Sequence, residues 1–261
     1  MKTRALAAAA NLTLTFLLAA GVPAQSAELK VISAVWMQPV MEDLGPKFER
    51  VTGHKLAIIF EPIALALKRV QGGETADVIV LPRQGIDSLV KDGKAAAGDV
   101  TAIARAGMGV AVRKGALKPD ISSSESFKSA MLASKSINVS DPARGGVATA
   151  YIMKVFERLG ISEEMKPKLV YAKIPGAAGI AREVANGEAE IALNQLQEFV
   201  PVAGIEIVGP FPSDLQLTTV FAAVIMAGAR NAEASNALIN FLRTPVATAV
   251  IRAKGLEPAT Q

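Results

Sequence analysis

Two hydrophobic periods alternate along most of this chain. Short runs rich in β-branched residues are typical of strands, and stretches with apolar residues three or four positions apart are typical of helices. In the first part, strands are predicted at 29–35, 55–60 and 76–81, and helices at 39–52, 64–71 and 85–92. Pro39 suits the first turn of the first helix, and Gly53 is expected to end it.

The second part of the chain repeats this alternation. Strands are predicted at 136–139, 169–172 and 191–194, and helices at 148–159, 178–186 and 232–243. Strands that alternate with helices indicate a layered α/β protein. Two further apolar runs, at 107–112 and 219–226, are suited to carry the chain between two lobes. We therefore expect one lobe from 28–110 plus 222–261, and a second lobe from 111–221.

The segment 1–27 has the pattern of a cleaved export signal. Lys2 and Arg4 precede an apolar run from 5 to 20, and the small residues around Ala24 fit the cleavage rule of signal peptidase. A membrane anchor is the alternative, but the run is shorter than the roughly 20 residues that a span needs. We expect cleavage between Ala24 and Ala27, and a mature chain in the periplasm of a Gram-negative bacterium.

Composition narrows the function classes further. The 28 Lys and Arg residues nearly balance the 24 Asp and Glu residues, and they do not cluster among aromatic residues, so no nucleic-acid partner is expected. The chain has no cysteine and hence no disulfide. His54, the single histidine, is expected in an exposed loop. One histidine argues against a Ser-His-Asp triad and excludes a multi-histidine metal site, so we expect neither a metal nor a cofactor.

Four passages of the mature chain carry a family resemblance. They are LKVISAVWMQPVMEDLGPKFERVTGHKL at 29–56, GGETADVIVLPRQGIDSLVKDG at 72–93, VSDPARGGVATAYIMKVFERLGI at 139–161 and NALINFLRTPVATAVIRAKGLEP at 236–258. In this order they resemble the periplasmic solute-binding proteins of type II topology, and most closely the molybdate-binding branch. The resemblance implies an α/β fold of two lobes, with a hinge that the chain crosses twice and a ligand in the cleft between the lobes.

The chain departs from that branch at the residues that hold the ligand. The molybdate binders hold a tetrahedral oxyanion with two serine hydroxyls. This chain has Trp36 at the first position, and Glu61 followed by Ile63 and Ala64 around the second. The pocket tyrosine of the branch falls near Asn194. A dianion beside Glu61 would be repelled and would lose charge-assisted hydrogen bonds of about 1.5–3 kcal/mol each. Molybdate and sulfate are therefore not the expected ligands.

The loops that follow strands in this fold supply the remaining candidates. Backbone N–H groups and helix N-termini in such loops favour an anion. Arg144 adds a planar guanidinium that matches a carboxylate, and Gly145 and Gly146 let the backbone approach closely. The same loop also fits a plain helix entry with Arg144 in solvent. The candidate ligand-binding residues are Ser33, Trp36, Ile63, Ala64, Arg144, Gly145, Gly146, Gly176, Asn194 and Gln195.

Two functions from different classes remain open at this point. The first is a non-catalytic, monomeric solute-binding protein that delivers a small organic carboxylate to an inner-membrane ABC permease. The second is an aconitate isomerase on the same fold, resembling the molybdate-binding family in sequence. In that enzyme Glu61 or Glu198 would move the allylic proton if burial raised its pKa, and Arg144 would hold a substrate carboxylate.

Overall fold

The computed structural model describes residues 26–96, 98, 100–142, 147–174 and 177–259. Within these ranges the strands are β1 (Glu28–Ala34), β2 (Lys55–Glu61), β3 (Val78–Pro82), β4 (Thr101–Arg113), β5 (Ile137–Val139), β6 (Leu169–Tyr171), β7 (Ile191–Gln195), β8 (Ile205–Pro210), β9 (Thr218–Ile225) and β10 (Glu257–Pro258). The helices are α1 (Gln38–Thr52), α2 (Ile63–Gln71), α3 (Arg83–Lys91), α4 (Ser124–Ala133), α5 (Val147–Arg158), α6 (Ser162–Met165), α7 (Ala177–Ala185), α8 (Leu196–Phe199), α9 (Ala232–Phe241) and α10 (Pro245–Ala253).

The strand order confirms the α/β class that the alternating pattern predicts. The sheet follows the order β2-β1-β3-β9-β4-β7-β5-β6. On the first side β1 is parallel to β2 and β3, and β9 is antiparallel to β3 and β4. On the second side β5 is parallel to β6 and β7, whereas β7 and β8 are antiparallel to β4.

Strand β4 belongs to both halves of the molecule. Its first part, up to Gly107, pairs with β9, and its second part, from Met108, pairs with β7. The chain returns through β9, where Thr218 lies opposite Gly107. The chain therefore crosses the boundary twice, as predicted. Hydrogen bonding nevertheless continues through β4, so the strands form one ten-stranded sheet, which the prediction of two lobes did not anticipate.

Separate hydrophobic cores divide the molecule into two lobes. The core of the first lobe contains buried residues within 29–106 and 221–256. The second lobe has two clusters, drawn from 108–215 and 111–199, on opposite faces of its sheet. The change from one core to the other occurs at Gly107, between Ala106 and Met108. The two lobes are thus distinguished by their separate hydrophobic cores and not by a break in the sheet. The residue limits of the lobes given in the sequence analysis stay a prediction.

Helix α1 shows how the sequence pattern determines local structure. Val40, Met41, Leu44 and Phe48 are buried along one face at helical spacing. Burial of side chains of this size contributes about 1.5–3 kcal/mol each. Gly53 ends the helix with a φ of 76°, a left-handed conformation that glycine adopts without strain.

Asp77 connects β1 of the first lobe to the segment between β9 and α9. Its buried carboxylate accepts hydrogen bonds from the backbone N–H groups of Lys30 at 3.0 Å, Arg230 at 3.0 Å and Asn231 at 3.1 Å. A buried carboxylate is tolerated when its oxygens are bonded in this way. Asp77 therefore fixes the start of α9 against β1.

His54 corrects a local prediction. It is partly buried: its Nδ1 accepts a hydrogen bond from the backbone N–H of Ala27 at 3.2 Å, and its ring stacks on Phe48. The turn after α1 folds back onto the helix, so one side of this histidine is covered. No helix in the part of the chain described here is long and apolar enough to span a membrane.

Candidate functional site

The carboxyl ends of the parallel strands in the two lobes face the same boundary. In the first lobe Pro82, at the end of β3, pairs with Phe221 near the hinge end of β9. In the second lobe Gln195, at the end of β7, pairs with Met108, next to Gly107. Ligands of open α/β sheets bind outside the carboxyl ends of the strands. The region between these two edges is therefore the candidate site.

Trp36 lies on the first of these edges. It belongs to a short turn, Val35–Met37, that follows β1, and it packs partly buried against the core of the first lobe. Its ring meets Phe221 edge-on, with ring centroids 6.1 Å apart and planes at 84°. Because Phe221 stands near the hinge end of β9, the indole is held beside the hinge.

Helix α2 begins on the same edge without a side-chain cap. Pro62 precedes it, and no side chain accepts a hydrogen bond from its first turn. Helix geometry leaves the N–H groups of Ile63 and Ala64 without an intrahelical acceptor. Such donors, at the positive end of the helix dipole, favour an anion.

Ser33 does not reach this edge. It is 0% exposed within β1, and its hydroxyl donates to the carbonyl of Ala34 at 3.3 Å. A hydroxyl that is covered by the core cannot contact a ligand without unfolding of the strand end. In this structure Ser33 therefore offers no exposed hydroxyl at the candidate site, and its role in ligand binding stays a prediction.

The negative charge of Glu61 is compensated by an ion pair with Arg69. Arg69 of α2 donates from Nε to Glu61 at 2.5 Å and from Nη1 to Glu74 at 2.8 Å, and Lys30 donates to Glu74 at 2.9 Å. Two cations thus compensate two carboxylates. The expected repulsion of an anion by Glu61 is therefore reduced.

Gln195 lies on the same face of the sheet as Trp36. Paired residues of antiparallel strands share a face, and every second residue along a strand returns to that face. Gln195 pairs with Met108, and Ala104, four positions earlier on β4, pairs with Phe221. Gln195 and Phe221 therefore share a face, and Trp36 contacts Phe221.

Asn194 lies on the opposite face. It pairs with Gly109, and its Nδ2 donates to Oε2 of Glu198 at 2.5 Å. Burial raises the pKa of Glu198 to about 7. Helix α8 packs directly on this face, because a Cβ added to Gly109 would lie 2.4 Å from the side chain of Leu196. Asn194 and Gln195 are both predicted ligand-binding residues, but the structure places them on opposite faces of the sheet.

Glu183 is a buried carboxylate that the sequence analysis missed. It accepts hydrogen bonds from the backbone N–H groups of Lys173 at 2.7 Å and Ile174 at 3.0 Å, and from Asn138 at 2.8 Å. Burial opposes ionisation, but these donors outweigh it and lower the pKa of Glu183. Gly179 completes the arrangement, since a Cβ there would lie 2.2 Å from the carbonyl oxygen of Ile174. Together they fix the turn that leads into α7.

Four of the predicted ligand-binding residues, Arg144, Gly145, Gly146 and Gly176, lie outside the described residues. In the sequence they precede α5 and α7. Within the described ranges, no group of three or more His, Cys, Asp or Glu side chains is arranged to hold a metal ion.

Two curated relatives match nearly the whole chain. An aconitate isomerase from a Pseudomonas species is 30% identical over 258 residues, which cover 95% of this chain and 96% of that protein. The molybdate-binding protein ModA of Azotobacter vinelandii is 30% identical over 239 residues, which cover 89% of this chain and 90% of that protein. The two names indicate different functions for proteins of similar sequence.

Solved structures show the same fold. A substrate-binding domain assigned to a molybdenum ABC transporter from Clostridium difficile has a TM-score of 0.80 at 15% identity, covering 90% of this chain and all of that one. The tungstate-binding protein TupA from Desulfovibrio alaskensis has a TM-score of 0.66 at 14% identity, with 90% of this chain covered and 100% of that one. These neighbours confirm the two-lobed fold of periplasmic binding proteins.

The family match covers both lobes. The model of the family described as bacterial extracellular solute-binding protein matches residues 29–257, from the first residue of the first core to the last strand. This chain therefore belongs to that family of bacterial extracellular solute-binding proteins.

Proposed function

We propose that this protein binds a small organic carboxylate between its lobes, as the periplasmic binding component of an ABC-type importer. The observation that carries the proposal is the start of α2, where Ile63 and Ala64 present backbone donors in place of a serine hydroxyl. Those donors favour an anion. The indole of Trp36 on the same edge suits a ligand with a carbon skeleton more than a compact inorganic oxyanion.

The hinge supplies the motion that such a function needs. β4 and β9 carry the chain between the lobes, so rotation near Gly107 and Thr218 would bring the two edges together. A ligand that contacts both edges stabilises the closed state by its differential affinity for that state. In our proposal Arg144 and the glycines before α5 and α7 provide the contacts from the second lobe.

A periplasmic location fits this role. The molybdate-binding protein of Azotobacter vinelandii whose structure is similar, with a TM-score of 0.57, is described as periplasmic. We propose that the segment before residue 28 is removed on export. N-terminal sequencing of the protein recovered from the periplasm checks this, and a chain that still begins at Met1 would contradict it.

A thermal-shift panel tests the ligand class. The mature protein is heated with citrate, trans-aconitate, succinate, molybdate or tungstate, each at the same concentration and ionic strength. We expect a di- or tricarboxylate to raise the melting temperature, because a ligand at 100 times its Kd adds about 2.7 kcal/mol of stability. Stabilisation by molybdate or tungstate without any effect of the carboxylates would overturn the proposal.

An aconitate isomerase is the second candidate, and the 30% identity to the Pseudomonas enzyme favours it. The raised pKa of Glu198 suits proton transfer near neutral pH. However, Glu198 is bonded to Asn194 on the face opposite Trp36, and Glu61 is paired with Arg69. The geometry therefore supports binding more directly than catalysis.

Turnover in deuterated water separates the two candidates. Purified protein is incubated with trans-aconitate, and cis-aconitate that contains deuterium is sought by NMR and mass spectrometry. Product that disappears in Glu198→Gln would establish the enzyme and overturn the transport role. Tight carboxylate binding without product supports the transport role.

A further inference from the structure

Two glutamine side chains form an amide pair at the end of β7. Nε2 of Gln197 donates to Oε1 of Gln195 at 2.5 Å. Gln195 is only 7% exposed, and among the described residues its own Nε2 has no acceptor. Because Oε1 is occupied by Gln197 and Gln195 stands at the hinge end of β7, the Nε2 group is the part of the Gln195 amide that remains for a ligand.

The surroundings of Gln197 determine which way the pair is oriented. Oε1 of Gln197 is buried and has no donor among the described residues. The main chain of Gln197 is closely packed, since a Cβ added to Gly255 would lie 2.9 Å from its Cα. If both amides turned over, Gln197 would bury an NH₂ group with two unpaired donors instead of one carbonyl oxygen. A carbonyl oxygen left without a partner is the more tolerable of the two.

We infer that Gln197 is a positioning residue that holds the Gln195 amide with its NH₂ group toward the cleft, so that the site accepts an oxyanion and disfavours a donor group such as an ammonium. The inference rests on the proposed function, since it names how that site recognises a carboxylate. Gln195 shares a face with Phe221 and Trp36, and in our proposal its NH₂ group contacts the ligand from the second lobe while the indole contacts it from the first.

A reversal of the amide pair tests the inference. In Gln197→Glu the new carboxylate, when ionised, can only accept, so Gln195 is expected to turn its NH₂ group toward residue 197 and to present Oε1 to the ligand; the affinity is therefore measured above the pKa of the new carboxyl. We expect the affinity for trans-aconitate, measured by isothermal titration calorimetry, to fall by about 10-fold or more. Gln71→Glu, the same substitution at an exposed position, is the matched control and is expected to leave the affinity unchanged.

A double-mutant cycle separates orientation from charge. If Gln197 acts through Gln195, then Gln197→Glu costs much less affinity in a Gln195→Leu background than in the native one. An equal loss in both backgrounds, or no loss in either, would overturn the inference. Melting temperatures of all variants show whether the fold is retained.

Side-chain amide NMR tests the orientation without any ligand. In the native protein the Gln195 NH₂ protons are expected to exchange rapidly with solvent, and in Gln197→Glu one of them is expected to become protected. Protected Gln195 NH₂ protons in the native protein would overturn the inference even if carboxylates bind. Rapid exchange there, in a protein that binds no carboxylate, would instead count against the proposed function alone.

Discussion

Replacement of Glu198 by glutamine tests the electrostatics of the hinge region. Glutamine has nearly the same shape, keeps an oxygen that can accept from Nδ2 of Asn194, and carries no charge at any pH. Burial raises the pKa of Glu198 from its ordinary value of 4.5 to about 7. The native carboxyl therefore destabilises the folded state whenever it is ionised, and the amide does not.

The magnitude follows from linkage between proton binding and folding. Each tenfold change in proton affinity corresponds to about 1.4 kcal/mol, so the raised pKa corresponds to a cost of about 3 kcal/mol once Glu198 is fully ionised. Below pH 4.5 both the folded and the unfolded chain are protonated at this site, and there is no cost. Between that value and about pH 7 the folded chain binds more protons than the unfolded chain, so stability falls as pH rises.

Urea unfolding across this pH range is the assay. We expect Glu198→Gln and the native protein to differ little at about pH 4, and the variant to be more stable by up to about 3 kcal/mol at about pH 8. Glu164→Gln, at an exposed position in α6, is the matched control and should show no such divergence. A stability difference that does not change with pH would refute the reasoning.

Three further substitutions test the packing around the site. Asp77→Ala should cost about 3 kcal/mol or more in urea unfolding, because it leaves buried backbone N–H groups without their acceptor, whereas Asp92→Ala at an exposed position should cost little. Gly109→Ala should cost about 1–3 kcal/mol and weaken ligand binding, and a second substitution, Leu196→Ala, should recover part of both losses. Glu183→Ala should weaken ligand binding, because the backbone N–H groups of Lys173 and Ile174 lose their acceptor before α7. An affinity that calorimetry finds unchanged would contradict the role of Glu183 in shaping the site.

Much of the fold could be predicted from the sequence because its signals are local. Apolar spacing identified α1, and Gly53 ends that helix as expected. Helix α4 was missed although its signal is also local: Ser123 and Ser126 form a capping box at its start. Strand β8 was missed for a different reason. Its residues are only partly buried, and its place in the sheet depends on pairing with β4 about 100 positions earlier.

The candidate site could be predicted only in part. Trp36 and the start of α2 lie on the predicted edge because they follow strands directly in sequence. The separation of Asn194 from Gln195 follows from the alternation of faces along a strand, and it was missed because β7 continues to Gln195, one residue beyond the predicted end at 194. The neutralisation of Glu61 by Arg69 needs the fold of α2 back over β2. Hydrophobic periodicity carries no information about that ion pair.

The most direct test of carboxylate binding between the lobes uses the single tryptophan as a reporter. The chain has only Trp36, which lies beside the hinge in contact with Phe221, so its emission senses a ligand at that position. Titration of the mature protein with trans-aconitate, citrate and molybdate, at constant ionic strength, gives one binding curve for each anion. We expect a saturable change in emission with at least one of the carboxylates and none with molybdate. A saturable change with molybdate, and no response to either carboxylate, would contradict it.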